Sequence, residues 1–220
     1  MIFIIVDSIR YARKEKERPC HIHDKWYIYL GIIVTVFCID LKTKSSFMDV
    51  LFQAYIMPTR SMSPTLKVGE YFLGNKIIYS RYNPKRGDVI VLKLPRKGKR
   101  KYPEYRDKDL VERIIGLPYD TLEIKNKKVF INGKEHEESY IQFIDSSYHS
   151  KNKSPRDNFG PVVISVNNYF VMGDNRDNSL DSRFTGTIKR EEIIGKVGMI
   201  YFSRKKQFPF VRFNRIEKKI

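Results

Sequence analysis

Short segments rich in β-branched and aromatic residues, separated by turn signals, fill most of the chain after residue 66. Five of these segments lie at residues 71–79, 88–94, 110–116, 121–133 and 168–173. The triplet Asn126-Lys127-Lys128 separates two alternating runs as a hairpin turn does, and Asn132-Gly133 is a second turn signal. No long pattern with the 3.6-residue period of a helix follows residue 66. The sequence therefore predicts a mostly β body.

Two polar stretches interrupt this β pattern. Residues 93–108 carry eight Lys or Arg together with two Pro, which is typical of an exposed loop. Residues 135–160 are polar and show no regular pattern. We expect both stretches to be irregular and exposed.

One uncharged apolar run precedes the β body. It spans Trp26 to Ile39, which is fourteen residues, whereas a membrane-spanning helix needs about 20 and at least about 17. Including the flanking Lys25 and Lys42, whose long stems can reach toward the interface, brings the run close to that minimum. We predict a transmembrane anchor at residues 26–42, and a buried core helix is the alternative. A cleaved signal sequence is disfavoured, because 25 residues containing many charges precede the run and no small-x-small site closes it.

The charges that flank this run predict its orientation. Two lysines, Lys42 and Lys44, stand just beyond it, whereas six basic residues precede it: Arg10, Arg13, Lys14, Lys16, Arg18 and Lys25. By the positive-inside rule, residues 1–25 form a cytoplasmic segment and residues 43–220 an extracytoplasmic domain. The predicted topology is thus a single crossing of the membrane.

The chain is strongly basic. Its 220 residues include 42 Lys plus Arg against 25 Asp plus Glu, a net charge of +17, which suggests an anionic partner such as nucleic acid or a lipid surface. No helix-turn-helix pattern is present to use this charge on DNA. Because many of the basic residues flank the apolar run or crowd residues 93–108, anionic lipid is the preferred partner and nucleic acid is not expected.

Cysteines and histidines indicate neither a disulfide framework nor a metal site. Cys20 and Cys38 both lie in the first forty residues, so the β body has no internal disulfide. The His21-x-His23 pair stands in a charged segment without other metal-ligand residues at suitable spacing. No metal and no cofactor is predicted.

A serine lies between two prolines directly after the apolar segment LFQAYIM. Pro58 and Pro64 fix the backbone on both sides of Ser61 and forbid a regular helix or a central strand there. Such a rigid corner suits a nucleophile, although Ser and Pro are also ordinary loop residues.

A second unusual segment runs from Gly173 to Arg183 and follows the apolar run 169–172. Its eleven residues, GDNRDNSLDSR, include three Asp, two Arg, two Asn and two Ser. Acids and bases so close together suggest a network of ion pairs, such as Asp181 with Arg183, that holds a site in shape. A solvated turn is the alternative when the segment is taken alone.

Taken in order, four motifs resemble those of the bacterial type I signal peptidases. They are SMSPTL at 61–66, RGDV at 86–89, RIIGLP at 113–118, and the run from 173 to 183. The resemblance covers about residues 50–200. It implies a membrane-anchored serine endopeptidase with a mostly antiparallel β fold, acting on signal-peptide-bearing preproteins outside the cytoplasmic membrane beside the export machinery.

The resemblance also implies roles for individual residues. Ser61 matches the nucleophile, and Met62 follows it. Thr59 matches the position whose hydroxyl, with the Ser61 backbone N–H, stabilises the oxyanion. Ser179 matches the serine that orients the general base. Asp181 with Arg183 match a supporting ion pair, and Asp174 with Arg176 belong to the same loop.

One residue departs from the family pattern. The family has its general-base lysine immediately before the RIIGLP motif, where this chain has Glu112. Strand alternation puts Glu112 on the same face as Leu110 and Ile114, so an ionisable group is expected among apolar neighbours. Lys108 is about 13 Å away along a strand, which is too far to replace the lysine unless a bulge intervenes.

Two functional hypotheses therefore remain. Glu112 in its ionised form, or a lysine from a distant segment, serves as the base of an active peptidase. Alternatively, the chain is a weak or inactive relative that binds preproteins or an active peptidase.

Overall fold

The computed structural model describes residues 27, 30–36, 51–150, 152–205, 207–208 and 210–220. Two compact units divide the chain, Met1–Asp49 and Val50–Ile220. In the first, Tyr27 and residues 30–36 are helical. The predicted cytoplasmic segment 1–25 and most of the predicted anchor 26–42 lie outside the described residues, so both stay predictions. In the part of the chain that is described, no helix has the length and apolar character needed to cross a membrane.

The described residues of the second unit form eleven strands in two antiparallel sheets. The larger sheet has the order β1-β2-β11-β3-β4-β9-β10 and the smaller one β7-β6-β5-β8. The strands are β1 Phe52–Ile56, β2 Glu70–Asn75, β3 Val89–Lys93, β4 Asp109–Gly116, β5 Thr121–Lys125, β6 Lys128–Ile131, β7 Lys134–Glu135, β8 Phe159–Val163, β9 Asn168–Met172, β10 Ile188–Lys189 and β11 Ile193–Ser203. Among the described residues, short helices accompany them at α1 Ile78–Arg81, α2 Arg96–Lys101 and α3 Ser182–Thr185. The predicted mostly β, antiparallel fold is confirmed.

Three clusters of buried apolar side chains form the core. The first packs Met57, Met62 and Leu66 against β2, β3 and β11. The second lies along β3, β4 and β9, and the third joins the smaller sheet to β4 and β9. Strand β4 contributes to all three, with Val111, Ile114 and Ile115, so it is the strand about which both sheets are packed.

Both predicted turns are confirmed as hairpin turns. Asn126 and Lys127 join β5 to β6 with φ angles of 51° and 67°. Asn132 and Gly133 join β6 to β7 with φ angles of 53° and 80°. Positive φ at both central residues is the geometry that matches the twist of two-residue hairpins and favours Asn and Gly.

The interpretation of residues 93–108 as a plain loop is wrong in part. This stretch includes α2 and a 3-10 turn at Pro103–Tyr105. Gly98 is buried, and a Cβ at that position would lie 2.8 Å from Leu94 Cγ, so α2 packs closely on the chain that precedes it. The segment predicted at 71–79 is likewise divided, because its last two residues belong to α1 rather than to a strand.

Candidate active site

The turn that carries Ser61 is fixed by apolar anchors. Met57, Met62 and Leu66 are at most 2% exposed. The Leu66 N–H donates to the Met62 carbonyl at 2.8 Å, which closes one helical turn after Ser61. Ser61 itself is half-buried, so the buried methionine beside it holds the backbone while the hydroxyl stays accessible.

Ser61 has a hydroxyl neighbour and a free backbone donor. Its Oγ lies 3.2 Å from Thr59 Oγ1. The Ser61 N–H donates to none of the described residues. The turn thus presents a hydroxyl pair and one N–H to whatever enters the site.

The segment 173–183 docks directly on this turn. The Asn175 N–H donates to the Ser61 carbonyl at 2.8 Å, and Asn175 Nδ2 donates to the Arg60 carbonyl at 3.1 Å. A Cβ on Gly173 would lie 2.5 Å from Ser179 Oγ and 2.7 Å from the Ser61 carbonyl oxygen. A glycine is therefore required where the two segments meet.

Buried ion pairs hold the segment 173–183 in place. Asp181 and Arg183, with side chains 0% and 1% exposed, pair at 2.7 Å, so the predicted pair is present. The remaining three charges find partners outside the segment, and Asp177 pairs with Lys127 at 3.4 Å. Asp174 accepts from Arg113 of β4 at 2.7 Å, and Arg176 donates to Glu138 at 2.7 Å.

A residue far along the chain also fastens the serine turn. Arg215 Nη2 donates to the Thr65 carbonyl at 2.6 Å, and its Nε donates to the Glu70 carboxylate at 2.7 Å. Glu70 is fully buried and also accepts from Ser203 Oγ at 2.9 Å. These pairings hold the pKa of Glu70 below its ordinary value despite the opposing effect of burial. No sequence pattern points to Arg215.

Glu112 lies on β4 among apolar side chains. It is 3% exposed and shares its face of the strand with Leu110 and Ile114, as predicted. Ser179 Oγ lies 3.2 Å from each carboxyl oxygen. Desolvation raises the pKa of Glu112 well above its ordinary value of 4.5, and the charge of Asp181 adds to the increase. Burial in this position therefore favours the protonated carboxyl group over the carboxylate.

All four predicted site residues border one cavity of about 360 Å³. Its described lining comprises Thr59, Ser61, Tyr102, Tyr105, Leu110, Glu112, Asp177, Asn178, Ser179, Leu180 and Phe184. Ser61 and Glu112 face the same space without a hydrogen bond between them among the described contacts. None of these lining residues is Lys or Arg, so neither Lys108 nor a distant lysine takes the general-base position within the described part.

Sequence reasoning missed the aromatic side of this cavity. Tyr102, Tyr105 and Phe184 line it, and the first two come from the stretch interpreted as an exposed loop. The many basic residues around them suggested an exposed loop. Two tyrosines in such a stretch are nevertheless a sequence signal of a partly buried aromatic surface. Within the described residues, no group of three His, Cys, Asp or Glu side chains is placed to hold a metal ion.

The β body brings a serine hydroxyl, a neighbouring hydroxyl donor and a buried ionisable group to one cavity, which is the kind of arrangement that serine hydrolases use. The family model for signal peptidase, peptidase S26, matches residues 27–202. The chain belongs to this signal peptidase family.

Similar proteins include a signal peptidase I P of Bacillus subtilis subsp. natto, 35% identical over 190 residues, which are 86% of this chain and 94% of the relative. A signal peptidase I of Aquifex aeolicus (strain VF5) is 35% identical over 71% of this chain and 78% of its own. A crystal structure of a signal peptidase I from Enterococcus faecalis V583 is 30% identical, with a TM-score of 0.39, over 52% of this chain and 97% of that one.

Proposed function

We propose that this protein is a membrane-anchored serine endopeptidase that cleaves signal peptides from exported preproteins, with Ser61 as its nucleophile. The observation that carries the proposal is the meeting of Ser61, Thr59, Ser179 and Glu112 at one cavity in a member of the signal peptidase family. The cavity is large enough for a few residues of an extended peptide.

In the proposed reaction, Ser61 Oγ attacks the carbonyl carbon of the scissile peptide bond. The oxyanion accepts hydrogen bonds from the Thr59 hydroxyl and the Ser61 N–H, each worth about 3 kcal/mol in a water-excluding site. Collapse of the tetrahedral intermediate leaves an acyl-enzyme on Ser61 and releases the amine, to which Glu112 gives the proton that it took from Ser61 Oγ during the attack. Water then hydrolyses the ester, and the chemistry needs neither a metal nor a cofactor.

Glu112 acts as general base only when it is ionised, and Ser179 holds its carboxyl group in place. Burial favours the protonated form, which reduces the fraction of the protein that carries a competent base. A lysine in the same surroundings is deprotonated by burial and ends the step as a cation near the developing oxyanion. We therefore expect a lower rate with Glu112 than with lysine.

The proposal includes a location and partners. Residues 26–42 anchor the chain in the bacterial cytoplasmic membrane, and residues 43–220 lie on its outer side, close to anionic lipid and the protein-export machinery. The distribution of basic residues around the apolar run supports this orientation. Nucleic acid is not a partner in this proposal.

The buried carboxyl group also favours a second candidate function. If Glu112 stays protonated throughout the working pH range, Ser61 has no base, and the protein binds preproteins or an active peptidase without cleaving. The cavity serves equally well for binding.

One experiment separates the two functions. The full chain in detergent is incubated with a preprotein beside its Ser61→Ala and Glu112→Lys variants, and the mature product is measured. We expect slow cleavage by the native chain, none by Ser61→Ala and at least tenfold faster cleavage by Glu112→Lys, about 1.4 kcal/mol of barrier. Cleavage by Glu112→Lys alone identifies a disabled relative. No cleavage by any of the three rejects Ser61 as the nucleophile.

A further inference from the structure

An exposed run of cations adjoins the candidate active site. We define the basic segment as residues 99–108, KRKYPEYRDK. Arg100, Lys101, Arg106 and Lys108 are exposed in it. None of these four forms an ion pair with any described carboxylate. Their charges are therefore available to a partner.

Two lysines of the basic segment lie next to the wall of the cavity. Tyr102 and Tyr105 line the cavity, and each carries a lysine on its ring. Lys101 Nζ is 5.2 Å from the centroid of Tyr102, and Lys108 Nζ is 5.3 Å from that of Tyr105. Such contacts hold a cation over the ring face and leave its other side to solvent. A bound peptide that touches either ring comes within reach of an ammonium group.

The carboxyl groups of the cavity do not cancel this positive charge. Asp177 is 2% exposed, pairs with Lys127 at 3.4 Å and accepts the backbone N–H groups of Ile144 and Asp145. Glu112 is buried at the inner wall. Glu104 and Asp107 of the basic segment are also exposed, but its five Lys and Arg outnumber them, so the rim on this side is net cationic.

We propose that the basic segment selects peptides that carry acidic residues close to the bond at Ser61. A cationic rim steers an acidic chain toward the cavity, while the tyrosine rings contact the backbone and side chains next to the acids. The inference rests on the proposed function only in assuming that a peptide occupies the cavity. It gives a function to the positive charge of residues 99–108, which the catalytic mechanism does not use.

Binding tests the inference without requiring turnover. Four fluorescent peptides share the same small residues before the cleavage site. Two of them carry a pair of Asp residues, placed either before or after the scissile bond, and the other two carry Asn at the same positions. Their dissociation constants are measured with the full-length Ser61→Ala protein in a zwitterionic detergent. At the position that lies next to the basic segment, before or after the scissile bond, we expect the Asp peptide to bind about fivefold more tightly than the Asn peptide at low salt. This preference should decline at high salt.

Matched variants locate the preference. Lys101→Gln with Lys108→Gln should reduce it below twofold, because both lysines at the tyrosine rings are neutralised. Lys134→Gln with Lys218→Gln removes two exposed charges that do not border the cavity and should leave it unchanged. The four substitutions are on the surface, so folding should be preserved.

Three outcomes overturn the inference: equal binding of Asp and Asn peptides, a preference that survives the Lys101/Lys108 double variant, or a preference lost equally in the control. Vesicles of phosphatidylglycerol provide a further arm. If only vesicle binding depends on the two lysines, lipid is the partner and the inference fails. If the Asp preference is found but the native chain does not cleave, the inference is supported and only the proposed peptidase activity is rejected.

Discussion

The serine turn and the segment 173–183 border the same cavity but are held by different forces. The turn depends on side chains without charge, since Met57, Met62 and Leu66 are buried in the apolar core. The segment 173–183 depends on charge, with the Asp181–Arg183 pair almost fully buried. Apolar anchors tolerate substitutions of similar volume, whereas a buried ion pair tolerates the loss of neither partner.

Glu112 lies where the two regions meet. Its neighbours on the same face of β4, Leu110 and Ile114, are apolar, while Ser179, Asp181 and Arg183 of the charged segment act on its carboxyl group. The balance between desolvation and this charged segment decides whether Glu112 is ionised. The apolar and the charged surroundings therefore together determine whether Glu112 can act as a base.

The largest effect is expected from Arg183→Met, which leaves Asp181 buried without its cation. We expect the free energy of unfolding to fall by about 4 kcal/mol, measured by denaturant titration of the full chain. Lys128→Met is the matched control, because Lys128 and Glu135 form an exposed pair with side chains 62% and 47% exposed. Its cost should stay below about 1 kcal/mol. Equal losses in the two variants would show that burial of the pair is energetically unimportant.

The second effect comes from Met62→Ala, which opens a cavity beneath the nucleophile. We expect a loss of about 3 kcal/mol in the free energy of unfolding, with little dependence on salt. Val68→Ala, at a position 39% exposed, should cost about 0.5 kcal/mol or less. A Met62→Ala protein as stable as the native chain would mean that the apolar anchors do not fix the turn.

The third prediction concerns the pH dependence of stability, which Glu112→Gln should change. A folded-state pKa above 4.5 means that the folded protein keeps a proton that the unfolded chain has lost. Stability due to Glu112 is thus full below pH 4.5 and declines as pH rises through the folded pKa. The melting temperature of the native chain should fall relative to that of Glu112→Gln as pH rises above 4.5.

The matched control for this pH series is Glu135→Gln, an exposed carboxyl group. Its melting temperature should follow that of the native chain at every pH. Parallel curves for the native chain and Glu112→Gln would contradict the raised pKa. Activity should show the opposite trend, rising with pH in the native chain and absent in Glu112→Gln.

Local features of this molecule were predictable from the sequence. The hairpin turns at Asn126-Lys127 and Asn132-Gly133 depend on the φ angles of two residues. The position of Glu112 depends on strand alternation, and the Asp181–Arg183 pair joins residues two positions apart. Each follows from rules that apply within a few residues.

Features that depend on distant segments were not predictable. Strand β11 was not among the five segments, because Gly195 and Gly198 interrupt its pattern. A Cβ on Gly195 would lie 2.4 Å from the Asn75 carbonyl oxygen, so the close approach of the neighbouring strand requires a glycine at this position. The partners of Asp174 and Arg176 are likewise remote in sequence, at Arg113 and Glu138.

The bond from Arg215 to the Thr65 carbonyl spans 150 residues of sequence. At a synthesis rate of roughly 5–20 residues per second, Thr65 is made about 8–30 seconds before its partner exists. The turn that carries Ser61 is therefore completed only after almost all of the β body has been made. A nascent chain of this protein has its serine long before it has the geometry to use it.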